Sequence, residues 1–469
     1  MNWLKLAEER KEDIILELQK LIQIPSVLQK ELATEEMPFG PKPLEALQHM
    51  LDKGDEAGFL TKNVDNMAGH IEMGEGEKVL GILCHVDVVP EGNGWTYPPY
   101  EGTVADDRVY GRGAIDDKGP TIAAWMAMKL VKESGIKLSK KVRMIIGTDE
   151  ESGFRCVDRY FQKEQMPNIG FAPDADFPII NAEKGIASLI FTQTGSSETE
   201  TIQFFQAGKR TNMVPDEAFA FVFGGLLSIK EKFDAFASEQ GITGEVAPQG
   251  PMVKVLVHGK SAHAMEPDEG VNAAILLAKF LQTINLTPHS KAFIDFLVTG
   301  FGEESRGRAL ALSFTDDVSG DTTLNPGVIH YAPEQGSCTQ VSMRYSVTYP
   351  FEEKLAACRE VLQPMGITLD LGSNSAPHYV DEKDELIQIL KKVYERNTGE
   401  EAKLLSIGGG TYARVLDKGV AFGMLFPGRK DVAHQIDEYV DIEDLIKATA
   451  IYADAIVELA TNNSEAGEK

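Results

Sequence analysis

Histidine and acidic side chains follow short apolar runs at several points along the chain. At residues 79–84 such a run is followed by His85 and, two residues later, by Asp87. A short continuous apolar run is typical of a strand that is covered on both faces. A histidine at its end can bind a metal ion while a nearby carboxylate orients the imidazole. Taken alone, the same residues are equally consistent with a histidine that caps a strand.

Three further segments place two or three carboxylates beside a glycine-rich turn or at the end of an apolar run. Consecutive acidic side chains repel one another, and a bound cation would remove that cost. In open α/β sheets ligands bind outside the carboxyl ends of the strands, so we expect the segments to converge at one edge. One aspartate before the predicted helix at 120–133 is also consistent with a simple N-cap. The acidic residues are Asp116, Asp117, Asp149, Glu150, Glu151, Asp174 and Asp176.

The types of the candidate ligands narrow the kind of metal site. Histidine, aspartate and glutamate without cysteine suit a hydrolytic zinc or manganese site, and not a structural zinc or iron–sulfur site. The four cysteines lie far apart without a C-x-x-C pair. A disulfide framework is therefore excluded as well.

The elements that must position these residues change character along the chain. From residue 78 to about 177, apolar runs alternate with helical patterns, which indicates a mainly parallel sheet flanked by helices. From about 186 to 377, apolar and polar residues alternate, which is typical of antiparallel sheets with one covered face. After Pro377 the first pattern returns. We therefore predict an α/β catalytic domain formed by residues 1–185 and 378–469, interrupted by an α+β, ferredoxin-like lid domain at 186–377.

Composition and charge exclude several classes of partner. The chain has 469 residues, with 46 basic and 72 acidic side chains and a formal net charge of −26. Such a charge repels phosphate backbones and anionic lipid heads, so we expect no nucleic-acid or membrane partner. No apolar stretch approaches the ~18 residues that cross a bilayer, and the N-terminus lacks the pattern of a signal peptide. These features predict a cytoplasmic protein.

Eight motifs, taken in order, resemble those of the dinuclear metallopeptidases that include carboxypeptidase G, aminoacylase, succinyl-diaminopimelate desuccinylase and carnosinase. They span nearly the whole chain, and the nearest resemblance is to the dipeptidase V type of Xaa-His, carnosinase-like dipeptidase. Two positions depart from the pattern: Asp437 precedes Glu438 where the family often has asparagine, and Met265 stands where small residues are common after the histidine of the insert. The motifs lie at residues 85–90, 111–118, 149–151, 173–175, 210–215, 259–264, 408–411 and 433–434.

The resemblance implies a reaction and a role for each residue of the metal site. Two divalent ions, zinc or alternatively manganese or cobalt, would activate a water molecule and polarise the scissile carbonyl. Glu150 would take the water proton and return it to the leaving amine, and Asp87 would support His85. The peptide bond between Asp116 and Asp117 would be cis. The implied ligands are His85 and Asp174 for one ion, Glu151 and His434 for the other, and Asp116 as their bridge.

Other motif residues are implied to bind the substrate. The resemblance assigns the developing oxyanion to His263 and part of the fixation of the substrate to Asn212. Arg344 lies on the polar face of an alternating strand, where its fork matches a free carboxylate, although a surface salt bridge would show the same pattern. A glycine loop could offer backbone N–H groups to that carboxylate, although a plain turn would look identical. Its residues are Gly409, Gly410 and Thr411.

We therefore predict a cytosolic metallodipeptidase that hydrolyses short peptides with a free C-terminal carboxylate. The alternatives are an aminoacylase- or desuccinylase-like N-acyl-amino-acid amidohydrolase, and a catalytically inactive binding or scaffold protein of the same fold. All five implied ligands and Glu150 are present, which argues against the inactive alternative. Many relatives dimerise through a shorter insert, whereas residues 186–377 contain two blocks of alternating strands and helices. This second block predicts an active monomer, in which His263 reaches the metals without a partner.

Overall fold

The computed structural model describes residues 1–461, which divide into two compact units. The first unit comprises residues 1–181, 379–405 and 410–461. The second unit comprises residues 182–378 and 406–409. The predicted fold class, an α/β body with an inserted α+β region, is confirmed.

Residues 1–183 alternate helices with strands. The helices are α1 (Trp3–Glu9), α2 (Lys11–Ile22), α3 (Pro41–Glu56), α4 (Lys118–Glu133) and α5 (Arg155–Phe161). The strands are β1 (Leu60–Val64), β2 (Ala68–Met73), β3 (Val79–His85), β4 (Thr103–Ala105), β5 (Arg108–Tyr110), β6 (Lys141–Gly147), β7 (Ile169–Ala172), β8 (Ala175–Asp176) and β9 (Ile179–Glu183). β3 is buried at every position, as its apolar run predicted.

Residues 185–375 contain longer strands and four helices. The strands are β10 (Gly185–Gln193), β11 (Ile202–Ala207), β12 (Glu217–Val222), β13 (Thr243–Gln249), β14 (Met252–His258), β15 (Thr315–Asp316), β16 (Gly320–Asp321), β17 (Thr323–Ala332), β18 (Gly336–Tyr345) and β19 (Ile367–Ser375). The helices are α6 (Leu226–Gln240), α7 (Ala273–Leu281), α8 (Pro288–Phe301) and α9 (Phe351–Leu362).

The last part of the chain returns to short strands and long helices. Its strands are β20 (His378–Tyr379), β21 (Leu404–Ile407), β22 (Gly419–Ala421), β23 (Met424–Leu425) and β24 (Tyr439–Asp441). Its helices are α10 (Glu385–Thr398) and α11 (Ile442–Thr461). Among the described residues, no helix is both long enough and apolar enough to span a bilayer.

A nine-stranded sheet forms the centre of the first unit. Its strands follow the order β1-β2-β6-β3-β7-β22-β9-β20, and β21 pairs with β9. β6, β3, β7 and β22 run parallel, whereas β1, β2 and β9 pair antiparallel with their neighbours. His85 pairs with Gly147, so β3 and β6 end side by side. The residues that follow these two strands therefore emerge at one edge of the sheet, where ligands bind in folds of this kind.

Helices α4 and α11 pack against each other and against β3. α4 is buried on nearly every side, and Ile122, Trp125 and Met126 belong to the main apolar cluster. A helix that is apolar all round is stable only inside a core. This packing fixes the beginning of α4, and with it the two aspartates that precede the helix.

An eight-stranded antiparallel sheet forms the centre of the second unit, in the order β13-β14-β12-β11-β17-β18-β10-β19. Strands β11 to β14 make one half, and β10 with β17 to β19 make the other. The halves join where Phe205 pairs with Tyr331. Alternate strand residues are buried with residues of α6 to α9 in a second apolar cluster. Both blocks of the insert thus share one sheet within a single chain.

His70 on β2 makes the folding stability of the protein depend on pH. It is buried, and the Tyr160 hydroxyl lies 2.7 Å from its Nδ1 atom. Burial, together with the neighbouring Arg143 guanidinium, lowers the pKa of His70 to about 4. The pKa is near 6.5 in an unfolded chain, so unfolding takes up a proton at any pH between these values. Stability should therefore fall as the pH drops from about 6.5 towards 4, by at most about 1.4 kcal/mol per pH unit from this group.

The His70→Gln variant should flatten this part of the stability profile, because glutamine offers a hydrogen-bond acceptor but does not titrate. The measurement is the free energy of unfolding from urea titrations at pH 7 and pH 5, followed by tryptophan fluorescence. All three tryptophans, Trp3, Trp95 and Trp125, lie in the first unit and report on it. His330→Gln makes the same chemical change in the second unit and serves as the control. An unchanged pH dependence in His70→Gln would contradict this assignment.

Candidate metal centre

His85, the last residue of β3, begins the first group of candidate ligands. Its Nδ1 atom lies 3.0 Å from the carbonyl oxygen of Asp87. A carbonyl oxygen can only accept, so Nδ1 carries the proton and Nε2 is left free to bind a metal ion. That Nε2 atom lies 3.1 Å from Asp116 Oδ1 and 3.6 Å from Asp174 Oδ2. The structure thus brings together three residues that the sequence placed in separate segments.

A second group lies on the other side of Asp116. His434 Nε2 lies 2.9 Å from Asp116 Oδ2 and 3.0 Å from Glu151 Oε1. Asp116 therefore turns one oxygen to His85 and the other to His434. Within each group the candidate ligand atoms lie within 4.8 Å of one another. The groups are His85, Asp116 and Asp174, and Asp116, Glu151 and His434.

The chemistry of these donors fits two divalent cations. Imidazole nitrogens and carboxylate oxygens without sulfur are the ligands of hydrolytic sites. Burial and the Asp116 carboxylate raise the pKa of Glu151 to about 7 and the pKa of Asp174 to about 6. Partial desolvation opposes the charge on the half-exposed His434, but the Asp116 and Glu151 carboxylates outweigh it and raise its pKa to about 11. The carboxylates destabilise one another as neighbours, and cations between them would remove that cost.

The turn before α4 separates the roles of its two aspartates. The peptide bond between Asp116 and Asp117 is cis, which confirms the prediction. Asp117 stands at the N-cap position of α4, but its side chain makes no capping hydrogen bond. It accepts instead from the His85 backbone N–H at 3.0 Å and from the Thr121 hydroxyl at 3.2 Å. The simple N-cap interpretation is therefore wrong for Asp117, which ties the turn to the end of β3.

Residues 148–154, which we call the acid loop, follow β6. Asp149 in this loop is buried and accepts from the backbone N–H of Arg155 at 3.1 Å and from Nε and Nη2 of the same arginine at 2.7 Å each. The expectation that a bound cation relieves all three consecutive acids is thus wrong for Asp149, since Arg155 supplies its counter-charge. Of the three acids, Glu151 belongs to a candidate ligand group and Glu150 is buried near the charges of His85 and Asp174.

Asp87 holds the middle of the acid loop. Its Oδ1 accepts from the Glu150 N–H at 3.2 Å, and its Oδ2 accepts from the Glu151 N–H at 3.1 Å. Among the described residues, Glu151 belongs to a ligand group and Glu150 to neither. Burial raises the pKa of Glu150 well above its usual range, an effect that His85 opposes and Asp174 reinforces. The two adjacent glutamates therefore occupy different positions, one as a candidate ligand and one beside the ligands.

The family model described as Peptidase family M20/M25/M40 matches residues 81–458. The chain belongs to this peptidase family. It is 47% identical over 467 residues to the Bacillus subtilis (strain 168) protein named "Putative dipeptidase YtjP", covering 98% of this chain and 100% of that one. Its fold is similar to that of human carnosine dipeptidase 1, with a TM-score of 0.57 at 14% identity and 98% coverage of each chain. An M20 family metallo-carboxypeptidase from Sulfolobus solfataricus gives a TM-score of 0.58 at 16% identity, covering 95% of this chain and 98% of that one.

A buried ion pair that sequence reasoning missed supports the centre of this M20 peptidase. Glu438 lies 2.6 Å from Arg112 Nη1, and both side chains are almost completely buried. Glu438 also accepts from the backbone N–H groups of Ile115 and Asp116, at 3.0 and 3.2 Å. Arg112 Nη2 in turn donates to the carbonyl oxygen of His434 at 3.4 Å. The pair therefore holds the backbone of two candidate ligands of the second group, Asp116 and His434.

The departure from the family pattern at Asp437 has a local explanation. Asp437 accepts from the Thr96 N–H at 2.7 Å, from the Thr96 hydroxyl at 2.9 Å and from the Tyr97 N–H at 3.4 Å. Its φ of 56° lies in the left-handed region, which aspartate and asparagine both tolerate better than most residues. Aspartate thus fixes the loop at residues 96–97 without disturbing the adjacent Glu438.

The second unit carries several of the predicted substrate-binding residues. Asn212 and His263 lie on paired segments, because the Ala264 N–H donates to the Asn212 carbonyl at 2.9 Å. Arg344 on β18 is only 5% exposed, so the surface salt bridge considered for it is excluded. Its partner across the sheet, Thr323, donates its hydroxyl to the carbonyl of Met265 at 3.4 Å. The strand of Arg344 and the segment of His263 are thus neighbours within this unit.

The glycine loop at residues 408–411 contributes to both units. In the second unit, a Cβ added to Gly408 would lie 2.8 Å from Met265 Cβ, so the loop packs closely on the segment that follows His263. In the first unit, the Thr411 hydroxyl oxygen accepts from the Ala413 N–H at 3.1 Å and caps the short 3-10 helix Tyr412–Val415. The loop is therefore held at both ends by local contacts.

Glu438→Gln should destabilise the first unit and weaken its retention of metal, because Arg112 would keep a buried charge without its counter-charge. Breaking a buried pair in this way costs about 3–5 kcal/mol. The checks are the free energy of unfolding, from tryptophan fluorescence in urea, and the metal content after dialysis against a chelator. Asp65→Asn removes the exposed ion pairs with Arg159 and Lys163 in the same unit and should cost far less, because solvent screens these charges. Equal losses of unfolding free energy and of bound metal in the two variants would contradict the role assigned to Glu438.

Proposed function

We propose that this M20 peptidase is a dinuclear metallodipeptidase, of the dipeptidase V type, that hydrolyses dipeptides with a free C-terminal carboxylate. One observation carries the proposal: the two ligand groups share the carboxylate of Asp116, and Glu150, the chain neighbour of Glu151, belongs to neither group. His85, Asp116 and Asp174 would hold one cation and Asp116, Glu151 and His434 the other, with Asp116 common to both sets. The bound ions, zinc with manganese or cobalt as alternatives, would polarise the carbonyl and acidify a water molecule.

The residues of this chain then perform the proton transfers. Glu150 takes a proton from the attacking water and returns it to the leaving amine, the task of a general acid–base group. Asp87 supports this role, because it holds the backbone N–H groups of Glu150 and Glu151 with its two oxygens. Asp87 also keeps His85 oriented, with its Oδ1 at 3.4 Å from the imidazole Nδ1. A single carboxylate thus orients a proposed ligand and the proposed base together.

Substrate selection is assigned to the glycine loop and the second unit. Arg344 and the loop of Gly409, Gly410 and Thr411 bind the C-terminal carboxylate, His263 stabilises the oxyanion, and Asn212 fixes the substrate. The burial of Arg344 supports this, because a guanidinium fork shielded from water binds a carboxylate more strongly than an exposed one. The 47% identity to a relative whose name is "Putative dipeptidase YtjP" supports dipeptides as the substrate class.

The proposal includes a monomeric, cytoplasmic enzyme without nucleic-acid or membrane partners. The continuous eight-stranded sheet supports the monomer, because both halves of the sheet come from one chain. The net charge of −26 weakly opposes self-association, although salt screens charges beyond about 10 Å at 0.1 M. Cell fractionation would test the location.

Glu150→Ala should lower kcat by about 10²–10⁴-fold while both metal equivalents remain bound, because Glu150 moves protons and holds no ion. The assay uses zinc-, manganese- or cobalt-loaded protein with a dipeptide panel that includes N-acetylated dipeptides and tripeptides. Glu151→Ala is the matched control, and it should lose one metal equivalent by elemental analysis. Loss of an equivalent in Glu150→Ala instead would show that the two roles are exchanged.

The same panel distinguishes the substrate classes. Preference for the N-acetylated dipeptides would show that the protein is an N-acyl-amino-acid amidohydrolase and not a dipeptidase. Mixing Glu150→Ala with His263→Ala protein should restore no activity in a monomer. Recovery of activity in the mixture, or a mass of twice 51.4 kDa by light scattering, would contradict the monomer.

Amidation of the dipeptide C-terminus should reduce kcat/KM of the wild-type protein by about 10–100-fold. This is the change in kcat/KM expected from the loss of one charge-assisted hydrogen bond. Arg344→Ala should respond much less to amidation, because the group that recognises the charge is already gone. Arg344→Lys should behave like the alanine variant more than like the natural chain, since lysine loses the fork. Equal sensitivity of natural and Arg344→Ala proteins to amidation would remove Arg344 from this role.

A further inference from the structure

Tyr412 lies beside the metal centre but belongs to neither ligand group. It is 1% exposed and begins the short 3-10 helix Tyr412–Val415, directly after Thr411 of the glycine loop. Burying a tyrosine with its hydroxyl favours sites where that hydroxyl finds a polar partner. The neighbours of Tyr412 show what this side chain does.

The first neighbour of Tyr412 is Gly147, the residue that directly precedes the acid loop. A Cβ added to Gly147, the last residue of β6, would lie 2.2 Å from the Tyr412 hydroxyl oxygen and 2.8 Å from two ring carbons. Any residue larger than glycine would therefore push the ring away. The Tyr412 side chain rests directly on the backbone from which the acid loop departs.

The end of the acid loop meets the same side chain. The ring of Phe154, the last residue of the loop, packs edge-on against Tyr412 with 5.0 Å between the centroids. Two residues further, on α5, Cys156 Sγ lies 2.9 Å from the Tyr412 hydroxyl oxygen. One tyrosine thus contacts the chain on both sides of Glu150 and Glu151.

The ring also meets the first ligand group. Tyr412 packs edge-on against the His85 imidazole, with 6.1 Å between the ring centroids. His85 is the residue that pairs with Gly147 across β3 and β6. Tyr412 therefore contacts both His85, a proposed ligand, and the two ends of the loop that carries Glu150, the proposed base.

We propose that Tyr412 is a positioning residue that anchors both ends of the acid loop and thereby sets where Glu150 and Glu151 stand relative to His85. Asp87 holds the middle of the loop through backbone N–H groups, and Tyr412 holds its ends. A misplacement of about 1 Å can cost about 100-fold in rate. Because Tyr412→Phe keeps the ring and loses only the hydroxyl contact, we expect kcat to fall by about 5–20-fold with KM within about twofold.

The kinetic consequence rests on the proposed function, so the experiment includes a measurement that needs no activity. Hydrogen–deuterium exchange of metal-loaded protein should become faster in peptides covering the acid loop of Tyr412→Phe and Cys156→Ala, and remain unchanged in β3. Cys156→Ser should restore slow exchange and kcat, because its hydroxyl replaces the sulfur as partner of Tyr412. Cys358→Ala, a buried cysteine of α9 in the second unit, is the matched control for removing a thiol.

The outcomes separate the two claims. Faster exchange in the acid loop without dipeptide hydrolysis by the natural chain would support the positioning role and reject the proposed function. The double variant Tyr412→Phe with Cys156→Ala should match either single variant, because both remove the same contact. The positioning role would be overturned if Tyr412→Phe left both exchange and kcat unchanged, or if Cys156→Ser failed to restore slow exchange. It would also be overturned if the loss of kcat in the variants were fully explained by a loss of bound metal.

Discussion

The carboxylate of Asp116 faces His85 with one oxygen and His434 with the other, and much of the first unit serves that arrangement. The two histidines come from distant parts of the chain, one from the end of a buried strand and one from a loop near the C-terminal helix. Both must approach the same carboxylate to about 3 Å, which leaves little tolerance for movement of either backbone. The cis turn before α4, the packing of α4 against α11 and the Arg112–Glu438 pair all act on the backbone around Asp116.

Four acids of this unit, Asp149, Glu438, Asp174 and Glu151, differ in what neutralises their charge. Asp149 and Glu438 each have an arginine as partner, and both hold backbone N–H groups in place. Asp174 and Glu151 have instead a histidine and further carboxylates as neighbours, and burial beside those carboxylates raises the pKa of each. Because charges of one sign destabilise each other in a buried site, only Asp174 and Glu151 gain from a bound cation. Among these four acids, the presence or absence of an arginine partner therefore decides whether a bound cation would reduce the repulsion between carboxylates.

The similarity to solved structures supports a fold and leaves the substrate to the site. Carnosine dipeptidase 1 and a metallo-carboxypeptidase have similar TM-scores to this chain at 14% and 16% identity, although their names describe different peptide substrates. One fold thus hosts several specificities, and function must be argued from particular side chains. For this chain the proposal assigns substrate selection to a buried arginine on β18 and to a glycine loop packed against Met265.

The amino-acid sequence by itself determined the α/β character, the inserted antiparallel sheet and the strand-end positions of the acidic residues, because these follow from local hydrophobic periodicity. Motif resemblance added the proposed roles of His85, Asp116 and His434, and it predicted the cis bond. Only the tertiary structure decided that Arg155 neutralises Asp149, that Arg112 meets Glu438, and that Tyr412 joins both ends of the acid loop. These contacts link residues whose spacing in the chain follows no helix or strand period, so no local pattern could reveal them. Asp149 and Arg155 lie six residues apart in an irregular turn, whereas the contacts of Glu438 and Tyr412 join distant segments that meet only when β3, β6 and α4 pack together.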